Sequence, residues 1–224
     1  MHRRPQHSPY LVVAHRAGNR PETVAPALER ADMVELDAHV FRGRVEVRHA
    51  KVLRPTSRLW EKWYLLPENT TVPSLKTILD SIPPEVPIMV DLKCFTPRAG
   101  RRIRREVPED RNLIVSCRSW WVLPVFRDRR GTVMLRSCRS RLQLRLVTRI
   151  PGLGDRVGVV AHQEVLDPDN IRALRGRTPN VFTWAVESIE RGRELVEWGV
   201  TGLIVDDLGL DWDRLHIDPT ADPC

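Results

Sequence analysis

The sequence predicts a single α/β domain, a compact (β/α)8 TIM barrel with a short insertion after its second strand. Three observations predict it. Eight short apolar runs alternate with seven helical or helix-length segments, and strict alternation implies a parallel sheet. Eight such units close naturally into a barrel, and 224 residues is the compact end of that fold. No Gly-rich phosphate loop follows any run, which argues against the open, doubly wound sheet.

The first run, residues 10–14, is Y-L-V-V-A and ends in His15-Arg16-Ala17-Gly18. An unbroken apolar run reads as a strand buried on both faces. Residues 22–31 have helical spacing, with Val24, Leu28 and Ala31 on one side. Residues 33–37 form the second strand, which turns at Arg42-Gly43 and returns through Val45 and Val47 to His49. Residues 51–72 are the longest irregular section and carry Trp60, Trp63 and Tyr64. A long loop in a compact domain is a lid, an insertion or a binding loop. Its aromatics line a pocket, touch a lipid surface or anchor the loop.

Pro73 is placed at the N1 position of a helix that Pro83-Pro84 ends. Later strands are expected at 87–90, 112–116, 132–135, 156–161, 180–183 and 202–205. A basic helix starts at Pro97, and others are expected over 120–128 and 137–147. Asp167-Pro168-Asp169 caps a helix to Arg175, and a helix over 188–198 closes at Gly199.

Hydrophobic content of 42% with 29% charged residues is that of a soluble globular protein. The net charge is +7, and all but four of the 36 basic residues are arginine. That favours small anionic partners such as phosphates and permits weak contact with an anionic membrane surface. No interleaving of arginine with aromatic residues marks a nucleic-acid groove, so nucleic acid is not an expected partner. Cys94, Cys117, Cys138 and Cys224 form no C-x-x-C pair and read as reduced thiols. The N-terminus leads into about four apolar residues, too few for a signal-peptide core, and no run is long enough to span a bilayer. A cytoplasmic location is expected.

A barrel gathers its chemistry at the C-terminal ends of its strands. Those ends carry His15 and Arg16, Glu35 and Asp37, Asp91 and Lys93, Ser116, Arg136, His162, Trp184 and Asp206. Glu22 is a further candidate. Alternation puts Glu35 and Asp37 on one face of a strand. Neighbouring carboxylates repel, so they share a proton or hold a cation.

At this point the chain resembles the glycerophosphodiester phosphodiesterase family. The family's His-Arg-Gly is similar to A-H-R-A-G at His15 and Arg16, and its Pro-Glu-Asn-Thr to Pro21-Glu22-Thr23. Its Glu-x-Asp resembles Glu35-Leu36-Asp37, and its following strand turn and histidine resemble R-G-R-V-E-V-R-H at His49. Its Glu-x-Lys looks like Asp91-Leu92-Lys93, its Trp-Thr-Val-Asn like Trp184-Ala185-Val186-Glu187, and its closing motif like G-V-T-G-L-I-V-D at Asp206. The departures are the extra Ala17, the missing Asn, Ala50 where an acid commonly follows the histidine, the shorter Asp91, and Glu187.

The resemblance implies a metal-dependent phosphodiesterase that releases glycerol 3-phosphate and an alcohol. His15 and His49 are then the acid–base pair, with the two roles unassigned. Glu35, Asp37 and Asp91 hold one divalent cation, Mg²⁺ or Ca²⁺, as an all-oxygen donor set suits. Arg16 and Lys93 bind the phosphate, and Trp184 lines the substrate site. Attack by the substrate's own neighbouring hydroxyl would give a cyclic phosphate that water opens. The alternatives are a phospholipid head-group lyase on the same barrel and a non-catalytic phosphate-binding module.

Overall fold

A computed structural model of the chain describes residues 9–53, 58–61, 63–212 and 215. Eight parallel strands close on themselves: β1 (Leu11–Ala14), β2 (Met33–Phe41), β7 (Ile88–Leu92), β8 (Leu113–Cys117), β9 (Thr132–Cys138), β10 (Val157–His162), β11 (Val181–Val186) and β12 (Gly202–Val205). The first strand pairs in parallel with both the last and the second, which completes the barrel. Between β2 and β7 lie β3 (Arg44–Val47) and the short strands β4 (Lys51–Leu53), β5 (Arg58–Glu61) and β6 (Tyr64–Leu65). The helices are α1 (Pro21–Leu28), α2 (Leu75–Asp80), α3 (Pro97–Glu106), α4 (Arg141–Arg149), α5 (Pro168–Arg175) and α6 (Ile189–Glu197).

The barrel interior is filled by one apolar residue from each strand: Val13, Met33, Met89, Ile114, Leu135, Val160, Phe182 and Ile204. Gly202 leaves room for the Phe182 ring, which a Cβ would strike. Side chains two apart share a face of a strand. The residues two further along are therefore His15, Glu35, Asp91, Ser116, Ser137, His162, Trp184 and Asp206. The parity that plugs the barrel thus delivers a mostly polar ring to its mouth. At β11 the register slips between Trp184 and Val186, with Ala185 at φ 64°. That bulge lets Trp184 join the interior while Val186, two residues on, packs in the outer core. The outer core lies between strands and helices and includes Val12, Val34, Val90, Ile103 and Leu195.

The predicted barrel is present, with several local differences. Residues 51–72 are not irregular, because β4, β5 and β6 form a three-stranded antiparallel sheet. Strands of two to four residues are too short for alternation to show. Pro73 precedes the α2 N-cap rather than opening the helix. Ser74 caps α2 by accepting the Thr77 amide at 3.1 Å, and the Pro73 carbonyl accepts the Val47 amide. Trp120–Phe126 is a 3-10 helix with Pro124 inside it. Ser137 and Cys138 extend β9, and α4 starts only after its N-cap, Ser140. In α1 the buried residues are Val24 and Ala27, while Leu28 is half-buried. Cys94, Cys117 and Cys138 are free and buried, while Cys224 lies outside the described residues. Among the described residues no helix is long and apolar enough to cross a membrane.

Candidate active site

The β2–β3 hairpin builds the centre of the site. Arg42 and Gly43 both have positive φ, 48° and 76°, the two-residue turn whose twist matches a hairpin. It pairs Ala38 with Val47, and the Arg48 amide reaches back to the Asp37 carbonyl at 3.0 Å. His49 is thereby carried back to the level of Asp37.

Glu35, Asp37 and Asp91 each offer an oxygen within 4.8 Å of the others. Glu35 and Asp37 are 3% and 1% exposed, so water relieves little of their mutual repulsion. Burial, then the charges of Asp37 and Asp91, push the Glu35 carboxyl well above the usual carboxylate range. Burial also opposes ionisation of Asp37. Lys93, whose Nζ lies 2.8 Å from Oδ1, and Asn19, which donates to Oδ2 at 2.8 Å, overcome it and hold Asp37 below its ordinary value. Lys93 also pairs with Asp91, which accepts from Ser116 Oγ at 2.8 Å. Burial works against the Lys93 charge, but Asp91, Asp37 and Glu35 outweigh it and raise its pKa. The cluster is short of positive charge and entirely oxygen-donating. Those properties fit a hard divalent cation.

Each predicted acid–base histidine has Nδ1 against a carboxylate. His15 Nδ1 lies 2.6 Å from Asp206 Oδ1, and His49 Nδ1 lies 2.5 Å from Glu61 Oε1. The ring nitrogen left for a ligand is Nε2 in both. Burial lowers the His49 pKa; Asp37 and Glu61 pull it up, and Arg16 opposes them. Arg16 sits in the left-handed region, φ 55°, and its amide donates to Glu35 Oε2 at 2.7 Å. That bond ties the His15 corner to the carboxylates. A cleft of about 1400 Å³ opens between α1 and the inserted sheet, lined by His15, Arg16, His49, Glu61, Tyr64 and Asp206 among others.

This barrel resembles known structures. It superposes on the glycerophosphodiester phosphodiesterase of Thermotoga maritima with a TM-score of 0.66 at 19% identity, covering 91% of this chain and 97% of that one. The glycerophosphodiester phosphodiesterase of Agrobacterium tumefaciens gives 0.61 at 15% identity, with 91% and 99% covered. The Oleispira antarctica phosphodiesterase, solved with its product sn-glycerol-3-phosphate, gives 0.60 at 15% identity, with 92% and 94% covered. The chain shares the fold of these phosphodiesterases. No protein-family model matches the sequence, and no curated protein matches it.

On this phosphodiesterase-like barrel the candidates sort by strand parity. Trp184 stands at the mouth, edge-on to His162 with ring centroids 5.8 Å apart. Arg136 does not join the ring. It has the opposite parity, and its guanidinium donates to the Pro151 carbonyl, while Ser137 takes the inward place. Glu22 is exposed on the rim of the cleft. Asp206 joins the site with a role beyond its place at a strand end, and Asn19, His39 and Glu61 join it as residues the sequence does not single out. Asp206 was legible as a strand end, but its pairing with His15 was not. Asn19 grips Asp37 twice, donating to Oδ2 and accepting the Asp37 amide at 2.8 Å. His39 follows Asp37 on the same face, and burial, aided by Arg48, pushes it down to about 3. Glu61, twelve residues past His49, had no sequence signal.

Proposed function

We propose that this protein is a metal-dependent phosphodiesterase that hydrolyses glycerophosphodiesters to glycerol 3-phosphate and an alcohol. The observation that carries this reading is the convergence, at one barrel mouth, of two carboxylate-anchored histidines and a buried three-carboxylate cluster. A phosphodiester is an anion that resists attack, so its cleavage needs charge neutralisation, a base and an acid. Glu35, Asp37 and Asp91 would hold one Mg²⁺ or Ca²⁺, which when bound supplies positive charge to the phosphoryl oxygens.

The other steps belong to the chain's own side chains. Arg16 offers a planar fork to the non-bridging oxygens. His49, kept neutral by burial, takes the proton from the substrate's neighbouring hydroxyl as its oxygen attacks phosphorus. The bond to the alcohol oxygen breaks. His15, with Nδ1–H donated to Asp206, delivers its Nε2 proton to that oxygen. Water then opens the cyclic phosphate with the two histidines in exchanged roles. Lys93 pairs with both Asp37 and Asp91 and holds the two carboxylates in place. Trp184 offers an apolar wall to the glycerol or alcohol half.

The test is direct. The purified chain with Mg²⁺ or Ca²⁺ is expected to release glycerol 3-phosphate from glycerophosphocholine or a related diester. EDTA, His15→Ala and Glu35→Gln should each stop it, and turnover indifferent to all three refutes the reading.

A further inference from the structure

We propose that Glu61 of the inserted sheet is a positioning residue for His49, which makes that sheet part of the active site and not only a cover over it. The inference rests on the reading of His49 as an acid–base group.

The geometry is specific. Glu61 Oε1 lies 2.5 Å from His49 Nδ1, and the backbone that carries Glu61 is fixed by strand pairing, with Glu61 opposite Tyr64 and Trp60 between Lys51 and Leu65. One face of the sheet is turned outward, with Trp60 39% exposed, and at the turn after Glu61 Trp63 is 91% and Tyr64 58% exposed. The Glu61 side chain, at 17%, is on the half-buried face with Val52 and Leu59. A carboxylate partly withdrawn from water is costly unless a hydrogen bond replaces its hydration. His49 Nδ1–H supplies that bond.

Among the described residues, none nearer in the chain does the same for His49. The next residue, Ala50, is buried and has no polar side chain. The Arg48 guanidinium is engaged by Glu46 and the Ala50 carbonyl. Without Glu61 the ring is free to rotate and to adopt the Nε2–H form that a free imidazole prefers. With it, Nδ1 keeps the proton and the Nε2 lone pair faces the cleft. Asp206 does for His15, from the last barrel strand, what Glu61 does for His49 from the insertion. The two dyads differ in origin, so the inserted sheet can change without disturbing the barrel's own dyad.

The experiment compares the full-length protein with Glu61→Leu, Glu61→Gln and, as a control on the same sheet, Trp63→Ala. The first readout is the ¹⁵N shift pair of the His49 ring without metal or substrate. The second is kcat and KM for glycerophosphocholine with Mg²⁺. In the wild type the neutral ring should be the Nδ1–H form. Glu61→Leu should convert it mainly to the Nε2–H form and lower kcat on the order of 10- to 100-fold, as expected of a slightly misplaced base, with KM moved less than about threefold. Glu61→Gln keeps an acceptor oxygen, so it should keep the tautomer and recover most of kcat, even if the leucine variant disturbs the sheet. Trp63→Ala should match the wild type. A Nδ1–H ring and full kcat in Glu61→Leu overturn the inference and leave the proposed function standing. A wild type that turns over no phosphodiester removes the proposed function, while the ring shifts still decide whether Glu61 sets His49.

Discussion

His15 Nδ1 and Asp206 Oδ1 meet at 2.6 Å across 191 positions of chain. Barrel closure makes the contact. Ala14 is in register with Val205, and the His15 amide donates to the Val205 carbonyl at 2.9 Å, so the next side chains of the first and last strands emerge together. Asp206 should therefore act through the ring and not on the substrate. Asp206→Asn is expected to keep the fold and KM while kcat falls on the order of 100-fold. Replacing the alcohol of the substrate with p-nitrophenol, which leaves without a proton, should restore most of the activity of His15→Ala and none of that of His49→Ala. Equal rescue of both would overturn the assignment of His15 as the acid.

Burial and two acidic neighbours push the Glu35 carboxyl well above the usual carboxylate range, so its charge adds little to the metal-free fold. Glu35→Gln should leave the thermal midpoint in EDTA nearly unchanged. Mg²⁺ or Ca²⁺ at about 100 times its Kd should stabilise the wild type by about 2.7 kcal/mol and Glu35→Gln far less. Differential scanning fluorimetry with and without the ion reads both, and an equal shift in the two proteins places the ion elsewhere.

Lys93 is the ammonium that makes the carboxylate cluster tolerable, with Asp37 2.8 Å away and 1% exposed. Lys93→Met strands that charge. In EDTA near neutral pH it should lose about 3 kcal/mol in urea unfolding, the order expected when one partner of a buried pair is removed. Added Ca²⁺ should return part of the loss, since a cation replaces the missing charge.

His49 gives a dependence on pH of known sign. Burial holds its folded pKa below the ordinary value, against the pull of Asp37 and Glu61. As pH falls the unfolded chain takes up the proton first, so the stability due to this group is present above about 6.5 and is lost through the window down to the depressed folded value. His49→Gln removes that dependence. The unfolding free energy of the wild type minus that of the variant should shrink between about pH 7.5 and about pH 5. A constant or growing difference would show that the folded ring titrates normally or above.

The sequence by itself determined the barrel, because the strands are short apolar runs and the segments between them carry helix signals, such as the Asp167 cap before α5 and Gly199 after α6. It determined the barrel-borne part of the site for a related reason. Strand parity is a local property, so Met33 inside the barrel already implies Glu35 at its mouth, and Met89 implies Asp91. Only the tertiary structure decided which groups touch. Arg136 and Ser137 are adjacent in sequence, and it is Leu135 filling the barrel interior that puts the serine inward and Arg136 outward, against the Pro151 carbonyl. His15 finds Asp206 because the barrel closes, and Asn19 finds Asp37 because the 3-10 turn after β1 lies over β2. Glu61 was the least legible. Its strand is too short to carry a period, and its contact with His49 depends on antiparallel pairing inside the insertion, which no local pattern announces.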